Sequence, residues 1–375
     1  MPSDTSRSLI DCFSDLKDPR VDRTKRHLLT DIIMISICAV ICGAEGWEDI
    51  EEFADARQEW FECFLALPNG IPSHDTISRV FARLDPREFE KRFREWVEGL
   101  REKLSEVISV DGKVSRGSHD RASGKKPISM VSAWAHDNSL VLGQLKVEDK
   151  TNEITAIPEL LQMLDLKGCI VTTDAIGCQK AIASQIVSQE ADYVLAVKDN
   201  QETLHSEIAE YFDWAITDKF NQTEYSRHQT TDGGHGRIEV RRCYSSSDLR
   251  WFADKDKWVG LQSIAMVESE REVLGREKTL ERRYYISSLA SDAVKIGRVI
   301  REHWGVENSL HWVLDMSFRE DQSRIRKDNA PENMAILRHI ALSLLKQEKT
   351  NKRGIRAKRL KAGWEDSYLL KILTT

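Results

Sequence analysis

Two short apolar runs each lead into an aspartate: VISVDG at 107 to 112 carries Asp111, and CIVTTDA at 169 to 175 carries Asp174. Far downstream, Glu307 stands between His303 and His311. Aspartates at strand ends lie at the mouth of a sheet, where loops build sites, and a glutamate on an inward helix face can close the same pocket over a hard cation. Three carboxylates so placed suit metal-dependent phosphoryl chemistry. Two magnesium ions, roughly 3.5 to 4 Å apart, offset charge on a scissile phosphate and lower the pKa of the attacking water or hydroxyl. Asp111, Asp174 and Glu307 are therefore the candidate catalytic residues and the candidate ligands of two Mg²⁺ ions, with Mn²⁺ expected to substitute.

The elements that must hold these acids can be read from periodicity. Along the third segment His303, Glu307 and His311 recur every four residues with Ile300, Leu310, Leu314 and Phe318 around them, which predicts a glutamate facing inward. A carboxylate there needs a cation, an arginine or its two histidines as partner. Mononuclear zinc on His303, Glu307 and His311 is excluded, because ligands four apart on a straight helix span about 12 Å. Trp304 and Trp312 flank the glutamate with Asn308 beside it; the two indoles are expected in the core rather than stacked on an unpaired base. Asp315, a quarter-turn from Glu307, is expected to support it.

Residues 1–105 read as a helical N-terminal domain. Its parts are a buried run near 28–44, a segment from Trp47 to Leu65, a helix opened by Ser73 with Ile77, Val80, Phe81 and Leu84 on one face, and an amphipathic stretch from Asp85 to Leu104. Arg79 and Arg83 leave that third helix on another side, as in a small DNA-end-binding helix-turn-helix element, although a plain docking bundle fits as well. From Val107 the pattern becomes three strands and then alternating helix and strand. That order predicts an α/β, ribonuclease H-like mixed sheet, with a first core part at 106–216. A β-rich insertion follows at 217–290, then final core helices at 291–349 and a basic C-terminal tail at 350–375.

Net charge is −6 over 375 residues, yet Lys346 to Thr375 carries +6 and the remainder −12. Further basic clusters at Lys17–Arg26 and Lys113–Lys126 offer local sites for phosphates whatever the global charge. Seven cysteines without a CxxC pair fit a reducing compartment and argue against a zinc finger. No charged leader with an apolar core opens the sequence, and Asp31 interrupts the most apolar stretch. The chain is expected in the cytoplasm with no membrane partner.

The motifs SVDGK at 109–113, TTDAIGCQ at 172–179, LAVKDNQ at 195–201, HGRIEVR at 235–241 and HWGVENSLHWVLDMSFRED at 303–321 together resemble DDE transposases of the H-repeat, or Rhs-associated, type in the ISAs insertion-sequence group. The resemblance runs through nearly the whole chain. It implies a ribonuclease H-like core, an Asp111, Asp174, Glu307 triad on two divalent cations, recognition of the element's inverted-repeat ends, their cleavage, and strand transfer into target DNA by the freed 3′ hydroxyl. A homodimer on DNA follows by analogy, since two ends must be brought together. Where related enzymes carry tyrosine, arginine and lysine around the glutamate, this chain has Ile300, His303 and Leu314. Lys113, Lys198 and Arg319 are the expected substitutes at the end phosphates, and Arg237, His303 and Asn308 complete the expected DNA-binding set. Two other activities fit the same residues: a domesticated or defective relative that binds DNA without mobilising it, and a structure-selective nuclease on the same fold.

Overall fold

The computed structural model describes residues 9–100, 107–119, 124, 126–148, 152–234, 237–273 and 277–374. The chain divides into two units, one made of 104–111 and 150–306, the other of 1–103, 112–149 and 307–375. The described strands are β1 (Val107–Val114), β2 (Ser129–Ala135), β3 (Leu140–Val147), β4 (Ile170–Thr173), β5 (Asp192–Val197), β6 (Ser226–Gly234), β7 (Arg237–Ser246), β8 (Ser263–Val273) and β9 (Thr279–Ser287). β1 runs from one unit into the other.

In the 104–111 and 150–306 unit the strand order is β1-β4-β5-β9-β8-β7-β6. β1, β4 and β5 are parallel, which requires crossovers and covers both faces, so β4 is buried along its whole length and β1 over Val107–Val110. The helix Lys180–Ser188 carries the chain from β4 to β5. β9 joins β5 antiparallel, and β8, β7 and β6 follow in antiparallel succession, so the β-rich stretch extends the core sheet. The helix Ala293–Val306 buries Ala293, Ile296, Val299 and Ile300 against Val107, Ile170, Val194 and Tyr285. The three larger side chains, Ile296, Val299 and Ile300, each stabilise this packing by roughly 1.5 to 3 kcal/mol before conformational entropy is charged against them.

The other unit has strand order β3-β2-β1 and the N- and C-terminal helices. β2 and β3 are an antiparallel hairpin turned at Asp137–Ser139. The apolar stretch forms the helix Leu29–Cys42, with every residue from Ile32 to Ile41 buried, and the buried Asp31 carboxylate accepts the Leu67 amide (3.0 Å). Among the described residues no single helix is long and apolar enough to cross a membrane. The helical segment expected from Trp47 to Leu65 forms two helices, Trp47–Asp55 and Gln58–Phe61, with a break at Arg57, whose Nε donates to Asp366 (2.9 Å). Ser73 precedes the helix His74–Arg83 with Ile77, Val80 and Phe81 buried, and Arg79 pairs with Asp75 in solvent. The next helix is described over Pro86–Leu100; positions 101–104 of the expected element lie outside the described residues.

The basic C-terminal stretch folds into helices Ile355–Trp364 and Asp366–Leu373. Two of its cations are internal. Lys358 Nζ donates to the Leu345 carbonyl (2.8 Å), and Arg359 donates to the Val40 carbonyl (2.8 Å) with its guanidinium over Phe318. The mixed sheet, three leading strands and then alternating helix and strand behind a helical N-terminal region, is the ribonuclease H-like α/β arrangement that the order of elements predicts.

Candidate active site

Asp111 and Asp174 share one sheet end. β1 and β4 pair in parallel as Val107 with Ile170 through Val110 with Thr173, so the two aspartates lie one step beyond the last pair on strands about 5 Å apart. Asp174 Oδ1 accepts the amides of Ile176 (3.0 Å) and Gly177 (3.3 Å), which folds the chain over the strand end and fixes the carboxylate. The turn is braced by the LAVKDNQ segment: Asn200 Nδ2 donates to the Ala175 carbonyl and Gln201 Nε2 to that of Cys178 (3.0 Å). Two motifs separate in sequence thus make one loop cluster. Glu153 is a further acid close to Asp174; burial and the Asp174 charge both raise its pKa. Sequence reasoning missed it, because a glutamate in the first turn of a helix is commonplace.

The glutamate is placed differently from expectation. Glu307 through His311 form a π turn between the helices Ala293–Val306 and Trp312–Phe318. The wider turn breaks the four-residue stripe, and the Glu307 side chain is 58% exposed rather than inward. His311 is buried, with Nδ1 3.8 Å from Glu307 Oε2. Trp304 and Trp312 are 46% and 58% exposed, against the expectation that both are core; Trp304 lies under the Arg283 guanidinium at 4.2 Å. Glu307 and His311 belong to one unit, and Asp111 and Asp174 to the other. Carboxylate oxygens are donors that fit Mg²⁺ or Mn²⁺.

Several residues expected at DNA have protein partners, and two of them are enclosed by protein. Lys113 Nζ is nearly buried among Asp315 (2.7 Å), Glu320 (3.3 Å) and Asp321 (3.5 Å). Burial alone would lower the lysine pKa; the carboxylates outweigh it and raise it, so the ammonium stays charged. Asp315 therefore supports Lys113, and burial in turn raises its own pKa. His303 Nδ1 meets Thr172 Oγ1 at 2.9 Å, and burial pushes its pKa down to about 4, so the ring brings no positive charge at neutral pH. Lys198, Asn308, Arg237 and Arg319 are exposed. Arg237 reaches Glu239 (3.8 Å); Arg319, in the left-handed region (φ 51°), donates to Gln322 (2.8 Å) and reaches Glu45 (3.4 Å). His235 and Gly236 of the HGRIEVR motif lie outside the described residues.

Residues 102–344 match the family described as Transposase DDE domain, and residues 10–97 match the one described as DDE_Tnp_1-associated. "Putative transposase YncI" of Escherichia coli O157:H7 is 42% identical over 374 residues, covering 98% of this chain and 95% of that one. "H repeat-associated putative transposase YhhI" of Escherichia coli K12 is 40% identical over 374 residues, covering 98% of both. A solved piggyBac transposase synaptic complex with hairpin DNA aligns at a TM-score of 0.43 and 12% identity, over 95% of this chain and 76% of that one. A family match over well more than half the chain, with relatives at 40% identity or above along nearly its full length, makes this chain a member of the DDE transposase family.

Proposed function

We propose that this chain cleaves DNA at the inverted-repeat ends of its element and joins the freed 3′ hydroxyl to target DNA. Asp111, Asp174 and Glu307 are the catalytic acids, and they would hold two divalent cations, Mg²⁺ or Mn²⁺. The carrying observation is the parallel register that sets Asp111 and Asp174 side by side at one strand end. Bound cations would neutralise the scissile phosphate and activate the attacking oxygen. The protein's own contribution is rigid placement: the Asp174 turn is closed by two amides and braced by Asn200 and Gln201, so one carboxylate is aimed before any substrate arrives.

DNA is the partner, two copies of the chain act on a pair of ends, and Lys198, Arg237, Asn308 and Arg319 are the exposed groups assigned to it. Incubation with DNA carrying the element's own ends and Mg²⁺ should give nicks at those ends, lost in Asp111→Asn and in Asp174→Asn. Cleavage that persists in either variant, or without a divalent cation, overturns the assignment. Equal cutting of unrelated branched DNA would instead indicate a structure-selective nuclease, and end binding without cutting a defective relative.

A further inference from the structure

Upstream of each proposed acid lies a polar side chain, and the three are joined. Ser109 is two residues before Asp111, Thr172 two before Asp174, and His303 one helical turn before Glu307. Ser109 and Thr172 are partners in the β1–β4 register, with hydroxyls 3.0 Å apart, and Thr172 Oγ1 meets His303 Nδ1 at 2.9 Å. Residues two apart on a strand face the same side, so this chain of hydrogen bonds runs beneath the sheet end that carries the aspartates.

Apolar packing does not explain it. Ser109 and Thr172 are essentially inaccessible, and their neighbours in β1, β4 and the helix Ala293–Val306 include Val107, Ile170, Val299 and Ile300. A valine at 172 would keep the branched shape of threonine and remove a buried hydroxyl, whose desolvation costs about 1 to 3 kcal/mol if it is left unbonded. With Nδ1 of His303 as acceptor, Ser109 donates to Thr172 and Thr172 to His303; with Nδ1 protonated, His303 donates to Thr172 and Thr172 to Ser109. Buried polar networks of this kind fix one relative placement of their elements, because any slip leaves a group unpaired.

We infer that Ser109, Thr172 and His303 are positioning residues that lock β1, β4 and the helix leading to Glu307 into one register, and so set the carboxylates for cation binding. This rests on the reading of Asp111, Asp174 and Glu307 as cation ligands. It gives His303 a task other than the phosphate contact expected of it. The neutral ring that burial imposes suits an internal hydrogen bond.

The test uses the full chain with Thr172→Val, Thr172→Ser, His303→Leu and His303→Asn, the last placing an amide near the position of Nδ1. Mn²⁺ alone, without DNA, is titrated calorimetrically, alongside thermal unfolding, end binding by gel shift and Mg²⁺-dependent end cleavage. Thr172→Val and His303→Leu should weaken Mn²⁺ binding by about 10- to 100-fold, as loss of groups that orient metal ligands does, with end binding retained. Thr172→Ser and His303→Asn should recover most of the affinity. Unchanged Mn²⁺ affinity in Thr172→Val, or losses that track the melting temperature and are not rescued by serine, would overturn the inference. If Thr172→Val does not fold, the comparison of Thr172→Ser with His303→Asn and His303→Leu still decides. Asp111→Asn separates the two levels: Mn²⁺ affinity and cleavage both intact in that variant would sink the proposed function itself.

Discussion

Lys113 closes the SVDGK motif two residues after Asp111 and is the natural choice for a phosphate contact, but the structure surrounds it with acids. Replacing it with methionine keeps the length of the stem and removes the charge. Removing one partner of a buried pair costs about 3 to 5 kcal/mol, because the other is left uncompensated. Here the residual charges have fallbacks. Glu320 keeps Arg338 at 3.7 Å, Asp321 keeps Arg116 at 3.4 Å, and Asp315, one third exposed, can hydrate. The cost therefore sits at the lower end, about 3 kcal/mol, a sizeable part of a typical folding free energy. In urea, with a slope of about 3 kcal/mol/M, the midpoint should fall by about 1 M. Adding Asp315→Asn to Lys113→Met should return about 1 kcal/mol, since the second change relieves the stranded carboxylate. End binding should keep its salt dependence. A phosphate-contacting lysine behaves otherwise: its removal lowers the slope of log affinity against log salt by about 0.9 and leaves stability alone. That outcome would refute the ion-cluster reading.

Two further perturbations follow from local geometry. A Cβ at Gly177 would meet Thr173 Cβ and Oγ1 at 2.5 Å, and Thr173 is a buried, branched strand residue with nowhere to go; Gly177→Ala should displace the Asp174 turn and lower end cleavage by about 100-fold, while end binding by gel shift is kept. Glu348 is fully buried; burial would raise its pKa, but hydrogen bonds from Thr350, Tyr368 and the amides of Thr350 and Asn351 prevail and bring it from its ordinary 4.5 to about 2. The folded state therefore favours the carboxylate, so a stabilisation of about 3 kcal/mol is complete above pH 4.5 and disappears as pH falls toward 2; urea unfolding across that window should show it, and Glu348→Gln should flatten it.

The parts of the site that repeat along a strand were legible in the sequence, because a two-residue period and a terminal aspartate are local signals. VISVDG and CIVTTDA announced β1 and β4. Contacts decided by distant partners were not. The acids around Lys113 lie 202 to 208 residues away for Asp315 and Asp321, and a lysine beside a strand-end aspartate looks the same from its neighbours whether it meets phosphate or carboxylate. Ser109 and Thr172 were hidden differently: within apolar runs they look like tolerated small residues, and only the register, which pairs them, turns two unremarkable hydroxyls into a chain.

The largest departure concerns Glu307, and its cause is geometric. A helical wheel assumes a constant advance per residue, so the stripe of Ile300, His303, Leu310 and Leu314 assigns Glu307 to the buried side. The π turn adds a residue at that point. Upstream, Ile296, Val299, Ile300 and Val306 remain buried, and downstream Leu310, His311, Val313 and Leu314 are buried in their turn. The excess residue lets both flanking helices keep their apolar faces while Glu307 is turned out of the stripe. Hydrophobic periodicity records only that two faces are buried, so it cannot report a local widening between them. An exposed carboxylate pays no desolvation cost and is open to a hydrated cation, which an inward one would not be. The irregular turn thus reconciles two packed helices with an exposed acid, which the proposed function assigns to cation binding.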